Sequence, residues 1–142
     1  MHDHEELDEL VEYSPHFTMM VAKADRIGKI DDADGHAKQR GKCKDTVEIF
    51  FKVKDGHIEK LTFQVSGCLN TVACCNTLSC MVEGRSLQEC WKILPEHIVT
   101  FLESLPADHF HCAELTVGTF YKALTEYNRK LTEQLEQKTS LC

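Results

Sequence analysis

From Thr46 to Lys54 apolar and polar residues alternate, with Val47, Ile49, Phe51 and Val53 on one side and Glu48, Lys52 and Lys54 on the other. Only Phe50 breaks the rhythm. A period of two is the signature of a half-buried strand. Asp55-Gly56 follows, residues that tolerate the positive φ of a tight turn, and Leu61, Phe63 and Val65 then continue the alternation. This pattern predicts a β-hairpin. After Ser66-Gly67 the period changes: a helix is expected from an Asn70 or Thr71 cap to Glu83, where Gly84 supplies the stop. Ser86 with Glu89 three residues on predicts a short capped helix through Trp91, and Pro95 opens another that ends near Leu105-Pro106. From about His111 onward, Val117, Phe120, Leu124, Tyr127, Leu131 and Leu135 recur every three or four residues, the stripe of a long helix that frays beyond Gln134.

The amino-terminal half is less periodic. Asp3 to Tyr13 fits a helix of low hydrophobicity, and Pro15 to about Ala24 a second one with proline in its first turn. Residues 26–44 carry three glycines among polar residues and read as a loop with room for one short edge strand. Strands followed by helices, with no βαβ alternation, predict an α+β domain: an antiparallel sheet of about three strands with helices on one face. The 142 residues suit a single domain, 1–142, with residues 128–142 as a helical tail.

Composition narrows the function classes. The hydrophobic share of 42% and charged share of 27% are those of a globular protein. A net charge of -7, with the 16 Lys and Arg scattered, argues against nucleic acid as a partner. No apolar run is long enough for a membrane span, and the acidic start MHDHEELDEL lacks the features of a secretory or transit signal. A cytoplasmic location is expected. Eight cysteines then call for a reason other than disulfides, because thiols are kept reduced there.

Cys43, Cys68 and Cys112 each fall at the end of a predicted element, in loop or helix-start positions rather than in mid-core. A helix N-terminus favours a thiolate, so Cys68 and Cys112 are expected to deprotonate readily. Thiolates select iron-sulfur clusters and zinc. Asp45 lies two residues after Cys43, and His111 immediately precedes Cys112. By spacing alone these residues fit a metal site or three unrelated buried thiols, with Asp45 as a turn residue and His111 as a helix cap.

Four segments carry more: RIGKIDDADG at 26–35, CKDTVEIFFKVKDGHIEKLTFQVSGC at 43–68, MVEGRSLQECWKI at 81–93 and LPADHFHCAEL at 105–115. Over residues 13 to 127 the chain resembles the IscU/NifU-type iron-sulfur cluster scaffolds, which share the C-x-D, G-C and L-P-x-x-x-x-H-C elements in this order. The resemblance implies an α+β fold and a carrier rather than an enzyme. It implies that Cys43, Cys68 and Cys112 bind the cluster, usually 2Fe-2S, with Asp45 and His111 beside them, and that zinc occupies the same pocket when no cluster is present. A cysteine desulfurase would supply sulfur, and apo iron-sulfur proteins would receive the product. The rival within the resemblance is a zinc-bound accessory protein that accepts persulfide from the desulfurase. This chain lacks the insertion of that branch and keeps the histidine that branch lacks.

Three departures stand out. Lys44 replaces the usual glycine between Cys43 and Asp45, which puts a positive-φ turn in question. Leu69-Asn70-Thr71 replaces a small, glycine-containing run after Cys68. His109 stands where relatives often carry a lysine read by a chaperone, which leaves chaperone handling open, and His109 itself is a candidate ligand near Cys112. Cys74 and Cys75 read as small core residues or as auxiliary thiols, Cys80 and Cys90 as packing residues, and Cys142 as a terminal one. His2, His4, His36, His57 and His97 are expected at the surface.

Overall fold

The computed structural model describes residues 13–140. In chain order the elements are α1 (Pro15–Ala22), β1 (Gly35–Arg40), β2 (Thr46–Lys54), β3 (His57–Ser66), α2 (Leu69–Val82), α3 (Leu87–Cys90), α4 (Pro95–Leu102), a 3-10 turn (Ala107–His109) and α5 (Phe110–Ser140). The three strands form one antiparallel sheet in the order β1-β2-β3. The α+β class and the hairpin are as the pattern predicts, and the short edge strand expected within residues 26–44 is β1.

Alternation sets the register. Val47 pairs with Val65, Ile49 with Phe63 and Phe51 with Leu61, so one face of the sheet presents a continuous apolar surface. Helix α5 lies along β1 and β2 while α2 packs against β3, and Ile49, Phe51, Leu61, Phe63, Leu78, Phe120 and Leu124 form the core between them. Gly35 has a steric reason: a Cβ there would come within 2.1 Å of the Phe51 ring, which lies across it. Phe51 in turn meets Phe120 edge-on, with ring centroids 6.0 Å apart. Phe50, the break in the alternation, is buried on the opposite side of the strand, with the His36 ring tilted against it at a centroid distance of 4.8 Å. His36 reaches Glu48 at 2.6 Å, and His36, His57 and His97 are exposed as expected.

Several expectations need correction. The N-cap of α2 is Cys68, not Asn70 or Thr71, and the helix begins at Leu69. Strand β3 starts at His57, four residues before the first residue of the predicted stripe, because pairing with β2 resumes at once after the turn. Helix α5 stays helical to Ser140 instead of fraying after Gln134, supported by Arg129, which pairs with Glu126 and Glu133 along the exposed face. Its apolar stripe leaves the core early: Leu131 and Leu135 are exposed. Cys80 is exposed on α2 and is no packing residue, whereas Cys74, Cys75 and Cys90 are fully buried. The predicted Asp3–Tyr13 helix lies outside the described residues apart from Tyr13, which is not helical, and His2, His4 and Cys142 lie outside them too. Among the described residues no helix is long and apolar enough to cross a membrane.

Candidate metal centre

Three chain segments converge at one end of the sheet. The link between β1 and β2 closes on itself, with the Gly41 N–H donating to the Asp45 carbonyl at 2.8 Å and the Lys44 N–H to the Gly41 carbonyl at 3.0 Å. Lys44 adopts φ 72°, so the left-handed turn is made here by a lysine. That conformation costs a side-chain-bearing residue about 1–2 kcal/mol, and the closed loop holds it. The turn leaves Cys43 exposed at its tip and buries Asp45 at the start of β2. The second segment is the exit from β3, where Gly67 (φ +157°) passes against the Asp45 carboxylate and delivers Cys68 to the cap of α2. The third is the first turn of α5, which brings Cys112 in from the other side.

One ligand atom each from Asp45, Cys68 and Cys112 lies within 4.8 Å of the other two. Asp45 Oδ2 accepts from the Thr71 hydroxyl at 2.6 Å, from the Cys68 N–H at 3.3 Å and from the Cys68 thiol at 3.4 Å. Burial by itself would raise the Asp45 pKa, but the hydrogen bonds from Thr71, from the backbone and thiol of Cys68 and from the Cys43 thiol outweigh it and hold the carboxyl below its ordinary value. A carboxylate stands ready beside two thiols. Cys43, exposed at the tip of the same turn, does not belong to this cluster of ligand atoms.

Cys112 is not where the sequence suggests. It heads a helix, yet it is fully buried in the core cluster. Burial pushes its thiol up to about 12, with the Cys68 thiol pushing the same way. The expectation of ready deprotonation therefore fails for Cys112: desolvation outweighs the helix terminus, and a metal ion must displace the proton. His111 is half-buried, and its ring stacks on His109 at 5.8 Å. His109 pairs with Asp108 at 3.1 Å. Neither histidine belongs to the cluster of ligand atoms around Cys112.

Cys75 lies one turn deeper, its sulfur 3.7 Å from the Thr116 hydroxyl, and burial pushes its thiol from 9.0 up to about 12. Cys74 and Cys90 are pushed up by burial as well. These groups keep their protons in the fold at pH values where the unfolded chain has lost them. For Cys75 that stability is fully present below about pH 9 and is lost as pH rises toward 12, by about 1.4 kcal/mol per pH unit, and Cys74 and Cys90 act in the same direction. Thermal melts of the reduced, metal-free protein should fall steadily from pH 9 to 10.5, and the slope should be shallower in Cys75→Ala.

The fold and the site together define a small α+β domain that gathers thiols and one carboxylate where a strand turns into a helix. Residues 13–134 match the NifU-like N terminal domain, and the chain belongs to that family. It is 34% identical over 105 residues to "Iron-sulfur cluster assembly scaffold protein IscU 1" of Archaeoglobus fulgidus, spanning 73% of this chain and 69% of that one. It is 30% identical over 108 residues to the IscU scaffold protein of Aquifex aeolicus, spanning 73% and 68%. Among solved structures it resembles the N-terminal part of a NifU-like protein from Brucella abortus, with a TM-score of 0.67, 18% identity and coverage of 82% of this chain and 94% of that one.

Two residues of the site escaped the sequence reading. Thr71 registers there only as a helix cap, and Gly67 only as the end of a strand. The spacing of Thr71, three residues past Cys68 and so on the same side of the helix, is the signal that could have found it.

Proposed function

We propose that this chain is a scaffold on which iron and sulfide are assembled into an iron-sulfur cluster that is then released to apo-proteins. The observation that supports it best is the convergence of Asp45, Cys68 and Cys112 within 4.8 Å, with Cys43 exposed at the tip of the turn that carries Asp45. The relatives named as cluster assembly scaffolds support the same reading. Iron and sulfide are the cargo here, and the chain performs no turnover chemistry on them. Soft thiolates of Cys43, Cys68 and Cys112 hold iron firmly, while the hard carboxylate of Asp45 exchanges more easily and leaves one corner at which an acceptor thiol can begin ligand exchange. His111, beside Cys112, is the reserve ligand for that corner. Sulfur would come from a cysteine desulfurase, and a 2Fe-2S cluster matches a set of three thiolates and one weaker ligand.

Anaerobic reconstitution with iron and sulfide tests this. A visible-absorbing cluster that activates an apo-ferredoxin supports the scaffold. Zinc binding without any iron-sulfur chromophore would favour the sulfur-transfer accessory role instead. Asp45→Cys should still assemble a cluster but transfer it more slowly and resist a chelator longer, because the acceptor must then displace a fourth thiolate. Transfer at the wild-type rate, measured under reducing conditions with His111 and with His111→Ala, would return Asp45 to a turn residue.

A further inference from the structure

Thr71 offers no ligand of the kinds proposed above, yet its hydroxyl touches both Asp45 and Cys68. The residue is fully buried in the first turn of α2. Its Oγ1 donates to Asp45 Oδ2 at 2.6 Å and lies 3.6 Å from the Cys68 sulfur, and the Cys112 sulfur is within 4.8 Å of the ligand atoms of both those residues. The other buried or partly buried threonines of the helices behave differently: Thr77, Thr116 and Thr119 donate to the carbonyl four residues back, at 2.8, 2.8 and 2.7 Å. That is the usual refuge of a helical hydroxyl. Thr71 has Gly67 four residues back, outside the helix, and its proton turns to the carboxylate instead. Nor does it cap α2, whose N-cap is Cys68 without a side-chain cap bond.

A hydroxyl has one proton and two lone pairs. With the Thr71 proton committed to the ionised Asp45, its oxygen is left as an acceptor for the Cys68 thiol 3.6 Å away, so one side chain ties the hard ligand to a soft one. Gly67 passes so close that only a residue without a side chain leaves the carboxylate in this place.

We propose that Thr71 is a positioning residue of the metal site: its hydroxyl fixes the Asp45 carboxylate against Cys68 and Cys112 so that carboxylate and sulfur meet one ion together. The biological meaning of this rests on the scaffold reading, but its test needs no cluster. Hydrogen-bond partners that orient metal ligands are worth roughly 10–100-fold in metal affinity.

The experiment titrates cobalt(II) into the full-length reduced protein under anaerobic conditions and follows the thiolate-to-cobalt charge-transfer absorption. Thr71→Val should weaken cobalt binding about 10-fold or more, and Thr71→Ser, which keeps the hydroxyl, should restore most of the loss. In an Asp45→Ala background Thr71→Val should cost little further, because the hydroxyl acts through the carboxylate. Wild-type affinity in Thr71→Val, an equal loss in the Asp45→Ala background or failure of serine to rescue would each overturn the proposal. Should Thr71→Val fail to fold by circular dichroism, Thr71→Ala takes its place with the same criteria. A wild-type protein that shows the Thr71–Asp45 coupling with cobalt but builds no cluster from iron and sulfide overturns the scaffold reading alone. One that builds a cluster without the coupling overturns this proposal alone, and absence of cobalt binding in the wild type overturns both.

Discussion

Cys43→Ser and Cys112→Ser should both abolish stable cluster assembly, and only Cys112→Ser should also lower the melting temperature. The three cysteines are equivalent as ligands in the proposed function and unequal as parts of the fold. Cys43 is exposed at the tip of the β1–β2 turn, so a serine there replaces a solvent-facing thiol and leaves packing intact. Cys112 is fully buried in the core cluster. A hydroxyl in its place carries a desolvation cost that a thiol, a weak hydrogen-bonding group, does not, of about 1–3 kcal/mol where no full partner is found. Cys68, half-exposed at the cap of α2, should fall between them. Reconstitution with iron and sulfide and a thermal melt on each variant separate the two effects. Equal melting temperatures for Cys43→Ser and Cys112→Ser would mean that the core does not feel Cys112.

Gly67→Ala should be among the most damaging single changes near the site. An added Cβ would lie 2.3 Å from the Asp45 carboxyl carbon and 2.5 and 2.7 Å from its oxygens, closer than nonbonded atoms approach. The carboxylate cannot retreat, because Thr71 and Cys68 hold it, and the backbone at φ +157° is one that residues with a side chain rarely adopt. Overpacking of this kind costs about 1–3 kcal/mol, to which backbone strain adds. Metal affinity should fall with it, since Asp45 is forced off the thiols. Gly41→Ala is the control: the atoms nearest its Cβ would be those of the Leu115 side chain, with Cδ2 at 2.9 Å, and that flexible chain can rotate aside. Urea unfolding midpoints and cobalt titrations should rank Gly67→Ala far below Gly41→Ala, and similar midpoints would show that Asp45 is free to move.

The parts of the fold legible in the sequence are those governed by local periodicity. The Thr46–Lys54 alternation, the Asp55-Gly56 turn and the 3.6-residue stripe on α5 state the hairpin and the long helix directly. The stripe misleads at Leu131 and Leu135, because periodicity shows which face is apolar and not how far the partner sheet extends. Cys80 misleads for a related reason: its apolar neighbours Leu78 and Val82 point into the core while it lies on the opposite side of the same helix. At the site, family-like motifs bring Cys43, Asp45, Cys68 and Cys112 to notice, and the geometry gathers Asp45, Cys68 and Cys112. The burial of Cys112 and the role of Thr71 depend on how α2 and α5 pack, a long-range contact that no local pattern encodes. Lys44 is the instructive departure, since the turn forms without the glycine that would make it free of strain.

If Cys112 holds the cargo as proposed, its burial also ties the lifetime of the protein to that cargo. An ion or cluster held by a core residue favours the folded chain, and a ligand that binds the folded chain alone at a hundredfold excess over its Kd adds about 2.7 kcal/mol to the free energy of unfolding. Discharging the cargo removes that increment, and the fraction of molecules open to proteases rises by about a hundredfold. A loaded chain is thus the persistent form and an empty one the form most exposed to degradation. The cellular amount of this protein would follow the supply of iron and sulfide even with its synthesis held constant.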